Sequence, residues 1–513
     1  MRRFPTTPFS VLSLGAAIKG IAVLMVLAMG VSALSSTNAS AFVRTQTVPV
    51  PVGAPPISGV GTPPGGNVVD TVPAVPSTIA PIQAGPTSST SSTTSTTVPA
   101  PPASDASTTI SAPITTVAVT AGSTDTTVAT PVTSAAAATP AQLRQQVLAV
   151  LATGGAGRSA VIVVDGDTVV DLNGTDMRPP ASTEKVYTAG TALVQLGADH
   201  HFVTTVRATA STTGTTLDGD LILVAGGDPS FTAANLSTLA AEVAATGLRT
   251  VKGRLLVDDS HFDRLVSNEG WKQSFVPGEV GPLSAFLVDG NHRSDPATLA
   301  DPALANLALF RMALTNAGVA VSGALGRGAI GAGGPVLATR TSAPLSELIL
   351  RMVKKSDNTY AEVILKEIGV AAGTPTAAGG VAGVVRQFDR FGVARPVMAD
   401  GSGLSSINRT SAYQQVAWMT KLDASPSGRH MRLSLPISCV DGTLRNRMCG
   451  TSASGKVSAK TGSIDNVAAL TGFTQTAKGR KVVFSMLYSG VPSSARARVA
   501  IDKALALVTA YTG

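Results

Sequence analysis

Histidine is scarce, with five in 513 residues. None belongs to an H-E-x-x-H motif, and His200 and His201 are adjacent, so they do not share a helical face as paired zinc ligands would. The usual metallopeptidase design is excluded, and no metal site is expected. A glycine-rich loop closed by a phosphate-binding lysine is also missing, which argues against nucleotide-dependent chemistry. Charged residues make up 14% of the chain, and its net charge of +8 is neither gathered into a Lys/Arg run nor interleaved with aromatics. A nucleic-acid footprint needs a concentrated basic stripe, so no nucleic-acid partner is expected.

What is plentiful is small and uncharged, and it is unevenly spread. Arg2, Arg3 and Lys19 precede the apolar run "GIAVLMVLAMGVSAL" at 20–34, and Ala39 and Ala41 then fit an A-x-A cleavage pattern before Phe42. Residues 1–41 read as an export signal. The apolar segment extends back past Lys19 to Val11, long enough to remain as an uncleaved membrane anchor, so cleavage and anchoring both stay open. Residues 42–138 are mostly Pro, Thr, Ser, Ala, Gly and Val with almost no charge. Such a segment cannot bury enough surface to offset the entropy of ordering, and it reads as a disordered tether.

Folded structure is expected from about residue 139. "PAQLRQQVLAVLATGG" predicts a helix over 141–152, and "SAVIVVDGDTVVDLNG" a hairpin turning at Asp165-Gly166. Near the far end, "GKVSAKTG", "NVAALTGFTQT" and "KVVFSMLYSG" are strand-like, and a final helix starts at Ser493 or Ser494. Strands from both ends with helices between them predict an antiparallel sheet covered by helices. From about 207 to 340, short strands and helices near 233–246 and 302–317 suggest an inserted domain. Leu345, Leu348, Ile349 and Met352 then restore helical spacing.

Three short stretches carry chemistry. In "PPASTEKVYTAG", Ser182 and Lys185 stand three apart at a helix start, which puts an amine one turn from a hydroxyl. A serine needs its proton taken during attack, and an amine kept neutral by burial can take it. In "MVKKSDNTYAEVILKEIG", Ser356, Asp357 and Asn358 fall between two helical patterns. They are placed to relay a proton and hold a substrate amide, and they equally suit a helix N-cap. In "SAKTGSIDN", Lys460, Thr461 and Gly462 end a strand that could pair with a peptide, the glycine leaving room for close approach, or simply lead into a turn. Cys439 and Cys449 bracket a short loop and are expected to pair once exported; separate buried thiols or a redox pair are the alternatives.

In this order, S-x-x-K, S-D-N and K-T-G resemble the signature of the penicillin-recognising serine acyl enzymes. The chain from about 140 to 513 resembles the D-alanyl-D-alanine carboxypeptidase/endopeptidase family, the low-molecular-mass class C penicillin-binding proteins. "GDLILVAGGDPSF", "SDNTYAEVILKEIG", "ADGSGLSSIN" and "GTLRNRM" carry the likeness, as does the long segment between Lys185 and Ser356. The resemblance implies an α+β or α/β fold: a β-lactamase/transpeptidase-like domain formed by 139–206 and 341–513, with a mixed α/β insertion at 207–340. It implies a nucleophile at Ser182, its base at Lys185, a proton relay at Ser356 and substrate contact at Asn358. Lys460 and Thr461 would hold a terminal D-alanine carboxylate, and the backbone N–H groups of Ser182 and Ser463 an oxyanion. The implied partners are peptidoglycan stem peptides and β-lactams, met outside the cytoplasmic membrane, with no cofactor. A serine β-lactamase is the rival enzyme, although no E-x-x-L-N loop is found, and Glu362 and Glu367 are expected to be surface or scaffold residues. A non-catalytic wall-binding protein is the other rival. No chemistry is assigned to "AGGDP", "DGSGLS" or "GTLRNRM", which read as turns, and Arg445 and Arg447 read as surface charges, with contact to an anionic peptide as the alternative.

Overall fold

The structure, a computed structural model, describes residues 138–329 and 334–513. The signal or anchor and all but the end of the expected tether lie outside the described residues. Thr139 caps the helix Pro140–Ala152: its side chain accepts from Gln142 N, and the Gln142 side chain returns to Thr139 N. Pro140 occupies the first position, where a missing N–H costs nothing. The strand Arg158–Val164 then reverses at Asp165 and Gly166, both with positive φ (47° and 99°), and returns as Asp167–Leu172. Two positive-φ residues suit the twist of a tight hairpin.

The other strands of this sheet come from the far end of the chain: Ser458–Ile464, Val467–Gln475 and Lys481–Tyr488. All pairings are antiparallel, with Ser458–Ile464 at one edge, Asp167–Leu172 at the other and Lys481–Tyr488 in the centre. Alternate residues point to opposite faces. Ala160, Ile162, Phe484 and Met486 pack with Leu143, Val147, Ile501 and Leu505 of the first and last helices. Val161, Ala469 and Leu487 pack with Ala412 and Val416 of the helix Ala412–Asp423. Helices on both faces explain why Val467–Gln475 is buried along nearly its whole length.

Residues 203–341 build a second, mixed five-stranded sheet. Leu325–Arg327, Leu255–Asp258 and Leu221–Val224 run parallel, and Val203–Ala208 and Val336–Thr341 complete it antiparallel. The strand by which the chain leaves is thus paired with the strand by which it returns. Helices Ala233–Ala245 and Pro302–Asn316 bury Leu239, Val243, Leu307 and Phe310 in a core that continues to Tyr187 and Trp418. The expected limits at 207 and 340 fall inside these two paired strands. No helix among the described residues is long and apolar enough to cross a membrane.

Candidate active site

Ser182 lies in a short 3-10 turn, Ala181–Glu184, that runs directly into the helix Lys185–Gln195. The expected helix start takes the form of this tighter turn ahead of the α-helix, entered through Ala181 with φ +47°, an uncommon conformation for a residue with a Cβ. Neighbours hold it on several sides. Thr183 Oγ1 donates to Pro180 O (2.7 Å) and accepts from Gln415 Nε2 (2.7 Å). A Cβ on Gly403 would lie 1.9 Å from Ala181 O, and one on Gly462 would lie 2.5 Å from Pro180 O. The K-T-G glycine thus makes room for the serine turn itself, where the sequence suggested room for a substrate.

Lys185 is fully buried. Its Nζ lies 3.0 Å from Ser182 Oγ, 2.7 Å from Asn358 Oδ1 and 2.7 Å from Ser402 O. An ammonium would donate to all three. A free amine keeps two N–H bonds for the carbonyl oxygens and turns its lone pair toward the serine hydroxyl, which is the geometry of a base. Burial lowers its pKa to about 8, against the carboxyls of Glu362, Asp400, Asp357 and Glu184.

Ser356 terminates the helix Leu345–Lys355 in the left-handed region (φ +61°), and Asp357 caps the next helix, Asn358–Ala371, by accepting from Tyr360 N. The capping role in S-D-N therefore falls to Asp357. Buried Lys460 donates to Ser356 Oγ (2.9 Å) and to Thr461 O (2.8 Å). Its pKa is driven well down, by burial first and then by the Lys185 cation. Asn358 spans two segments: Oδ1 accepts from Lys185, and Nδ2 donates to Glu279 O (2.8 Å).

Sequence reasoning missed the layer behind these groups. "DGSGLS" is a carboxylate-centred loop: buried Asp400 accepts from Gly403 N, Ser405 N and Asn408 Nδ2, and it presents Ser402 O to Lys185. Glu362 is buried, which corrects a surface placement and leaves the scaffold one. It accepts from Ser402 N (2.7 Å), Gly401 N and Asn268 Nδ2. Burial and Asp400 push its pKa up to about 8, while the Ser402 and Gly401 donors and Lys185 pull it down. Glu367 is buried too, with His261 Nε2 at 2.7 Å and His200 Nε2 at 3.1 Å. The disulfide Cys439–Cys449 is formed, and Thr443 within its loop is hydrogen-bonded to Thr461 through their hydroxyls (2.8 Å). "GTLRNRM" thus braces the edge strand, and Arg447 is paired with Asp502.

A cleft of about 640 Å³ opens over this centre. Ser182, Ser356, Asn358 and Ser463 line it, together with Lys272, Phe275 and Glu279 from the 203–341 segment; Lys460, Thr461 and Gly462 are not among its walls.

A serine turn feeding a buried lysine, beside the edge of a helix-covered antiparallel sheet, is an arrangement suited to serine acyl transfer, on a transpeptidase/β-lactamase-like fold. A structure of penicillin-binding protein 4 from Haemophilus influenzae has this fold: TM-score 0.65, 23% identity, covering 71% of this chain and 97% of that one. The sequence profile of the D-Ala-D-Ala carboxypeptidase 3 (S13) family matches residues 143–294 and 287–511, and the chain belongs to that family. It is 32% identical to a D-alanyl-D-alanine carboxypeptidase of Actinomadura sp. (strain R39), over 72% of this chain and 85% of that one. It is 30% identical to a carboxypeptidase DacB of Mycolicibacterium smegmatis, over 74% and 86% respectively.

Proposed function

We propose that Ser182 is the nucleophile of a penicillin-sensitive D-alanyl-D-alanine carboxypeptidase acting on peptidoglycan stem peptides. The observation that carries this reading is the 3.0 Å approach of a buried lysine amine to the Ser182 hydroxyl. Ser182 Oγ attacks the carbonyl carbon of the penultimate D-alanine, and Lys185 takes the hydroxyl proton. The C–N bond to the terminal D-alanine breaks, and Ser356, paired with Lys460, delivers a proton to the departing amine. Water then adds to the ester, restoring the serine and releasing the shortened peptide. The N–H groups of Ser182 and Ser463 face the developing oxyanion, a device worth about 3–4 kcal/mol per donor. Asn358 holds the Lys185 amine in line as well as meeting substrate, and Lys460 and Thr461, on the edge strand that leads to Ser463, would take the terminal carboxylate.

A β-lactam acylates the same serine, and the ring-opened ester persists. Residues 207–340 act as an inserted domain that supplies one wall of the cleft. The substrate places the catalytic part outside the cytoplasmic membrane, with residues 1–41 as export signal or anchor. Release of D-alanine from a synthetic peptide ending in D-Ala-D-Ala, followed with the wild type and Lys185→Met, tests the proposal. Release by the wild type and a fall of at least about 100-fold in the variant are expected; equal release by both would overturn the assignment.

A further inference from the structure

An ion pair joins two walls of the cleft. Lys272 Nζ, from the 203–341 segment, lies 2.5 Å from Asp465 Oδ2, and both residues line the cleft. The two supports are built differently. Just before Lys272, Trp271 Nε1 donates to Asp400 Oδ2 (2.7 Å), Ser406 N donates to Gly270 O (3.1 Å), and Ser405 Oγ donates to Glu269 O (2.7 Å). The lysine's backbone is therefore fastened to the same loop that holds Lys185. Asp465 stands instead in the two-residue turn between the strands Ser458–Ile464 and Val467–Gln475, with Asn466 at φ +59°.

Direction along the edge strand gives the bridge a meaning, and this step rests on the function proposed above. The terminal carboxylate lies by Lys460 and Thr461 and the reacting carbonyl by Ser463, so the rest of the donor peptide continues past Ile464 toward Asp465. An extended peptide laid along that edge meets the Lys272–Asp465 pair. We propose that this ion pair is a specificity gate at the donor end of the cleft: short acyl donors fit inside it, and a longer stem peptide must part it. Its side chains are 59% and 80% exposed, so parting it is cheap, and salt does part of the work.

The test uses the full chain as wild type, Asp465→Asn and Lys272→Gln, with active sites counted by fluorescent-penicillin labelling. D-alanine release is measured at low and high NaCl from acetyl-D-Ala-D-Ala and from a five-residue stem peptide ending in D-Ala-D-Ala. The ratio of long-donor to short-donor kcat/KM is expected to rise about two- to fivefold in either variant, and in the wild type at high salt. A ratio equal to that of the wild type would overturn the gate, and so would a fall in both variants, which would make the pair a binding contact. A wild type that takes the label but cleaves neither peptide overturns the substrate reading, and the gate with it.

Discussion

To act as the proposed base, Lys185 has to lose a proton while four carboxyls act on it, and its burial outweighs them. With the pKa near 8, about one-tenth of the amine is free at pH 7 and half at pH 8. The proposed base acts when deprotonated, which fixes the sign: acylation should accelerate as pH rises through about 8. A penicillin acylation rate profiled from pH 6 to 9 checks this, and a profile that falls over that range would remove Lys185 as the base. Glu362 acts behind it. In Glu362→Ala the buried donors Gly401 N and Ser402 N would lose their acceptor, so a loss of about 1–3 kcal/mol is expected, read as a lower melting temperature together with slower acylation. The Ser182–Lys185 pair was legible because one helical turn separates its members. Glu362 and Asp400 were not, because what makes them functional is burial against a loop about forty residues away, and sequence pattern does not report that packing.

At the level of elements, the serine turn and the edge strand are fitted to each other. Gly462→Ala would put a methyl 2.5 Å from Pro180 O, and both are backbone-defined positions, so strand and turn must separate. Acylation by penicillin should fall at least about tenfold, with the other face of the sheet still folded; unchanged labelling would show that the contact is dispensable. The loop closed by Cys439 and Cys449 braces the same strand through Thr443. Replacing both cysteines by serine should cost about 2–3 kcal/mol from loop entropy, read as a lower urea midpoint. The strands, the hairpin turn and the terminal helices were legible from period-2 alternation and capping residues. The 3-10 turn at Ala181 was not, since a positive φ in alanine is imposed by the neighbours Gly403 and Gly462 and leaves no local trace.

At the level of the described part of the molecule, the two ends of the catalytic sequence close on each other. The helix Pro140–Ala152 packs with Ser494–Ala510 over one face of the sheet, burying Leu143, Val147 and Leu151. Deleting 140–152 should expose that face and abolish cooperative unfolding, as followed by circular dichroism. The long segment between the S-x-x-K and S-D-N motifs was visible as a change of pattern. Its part in the site was not, because Lys272, Phe275 and Glu279 reach the cleft only through the tertiary fold. The most direct test of the whole account is covalent labelling by a fluorescent penicillin, followed over time by gel and mass in the wild type and Ser182→Ala. Persistent stoichiometric label on the wild type and none on the variant is predicted. Equal label on both, or none on either, would contradict Ser182 as the nucleophile, and label lost within seconds would point to a β-lactamase.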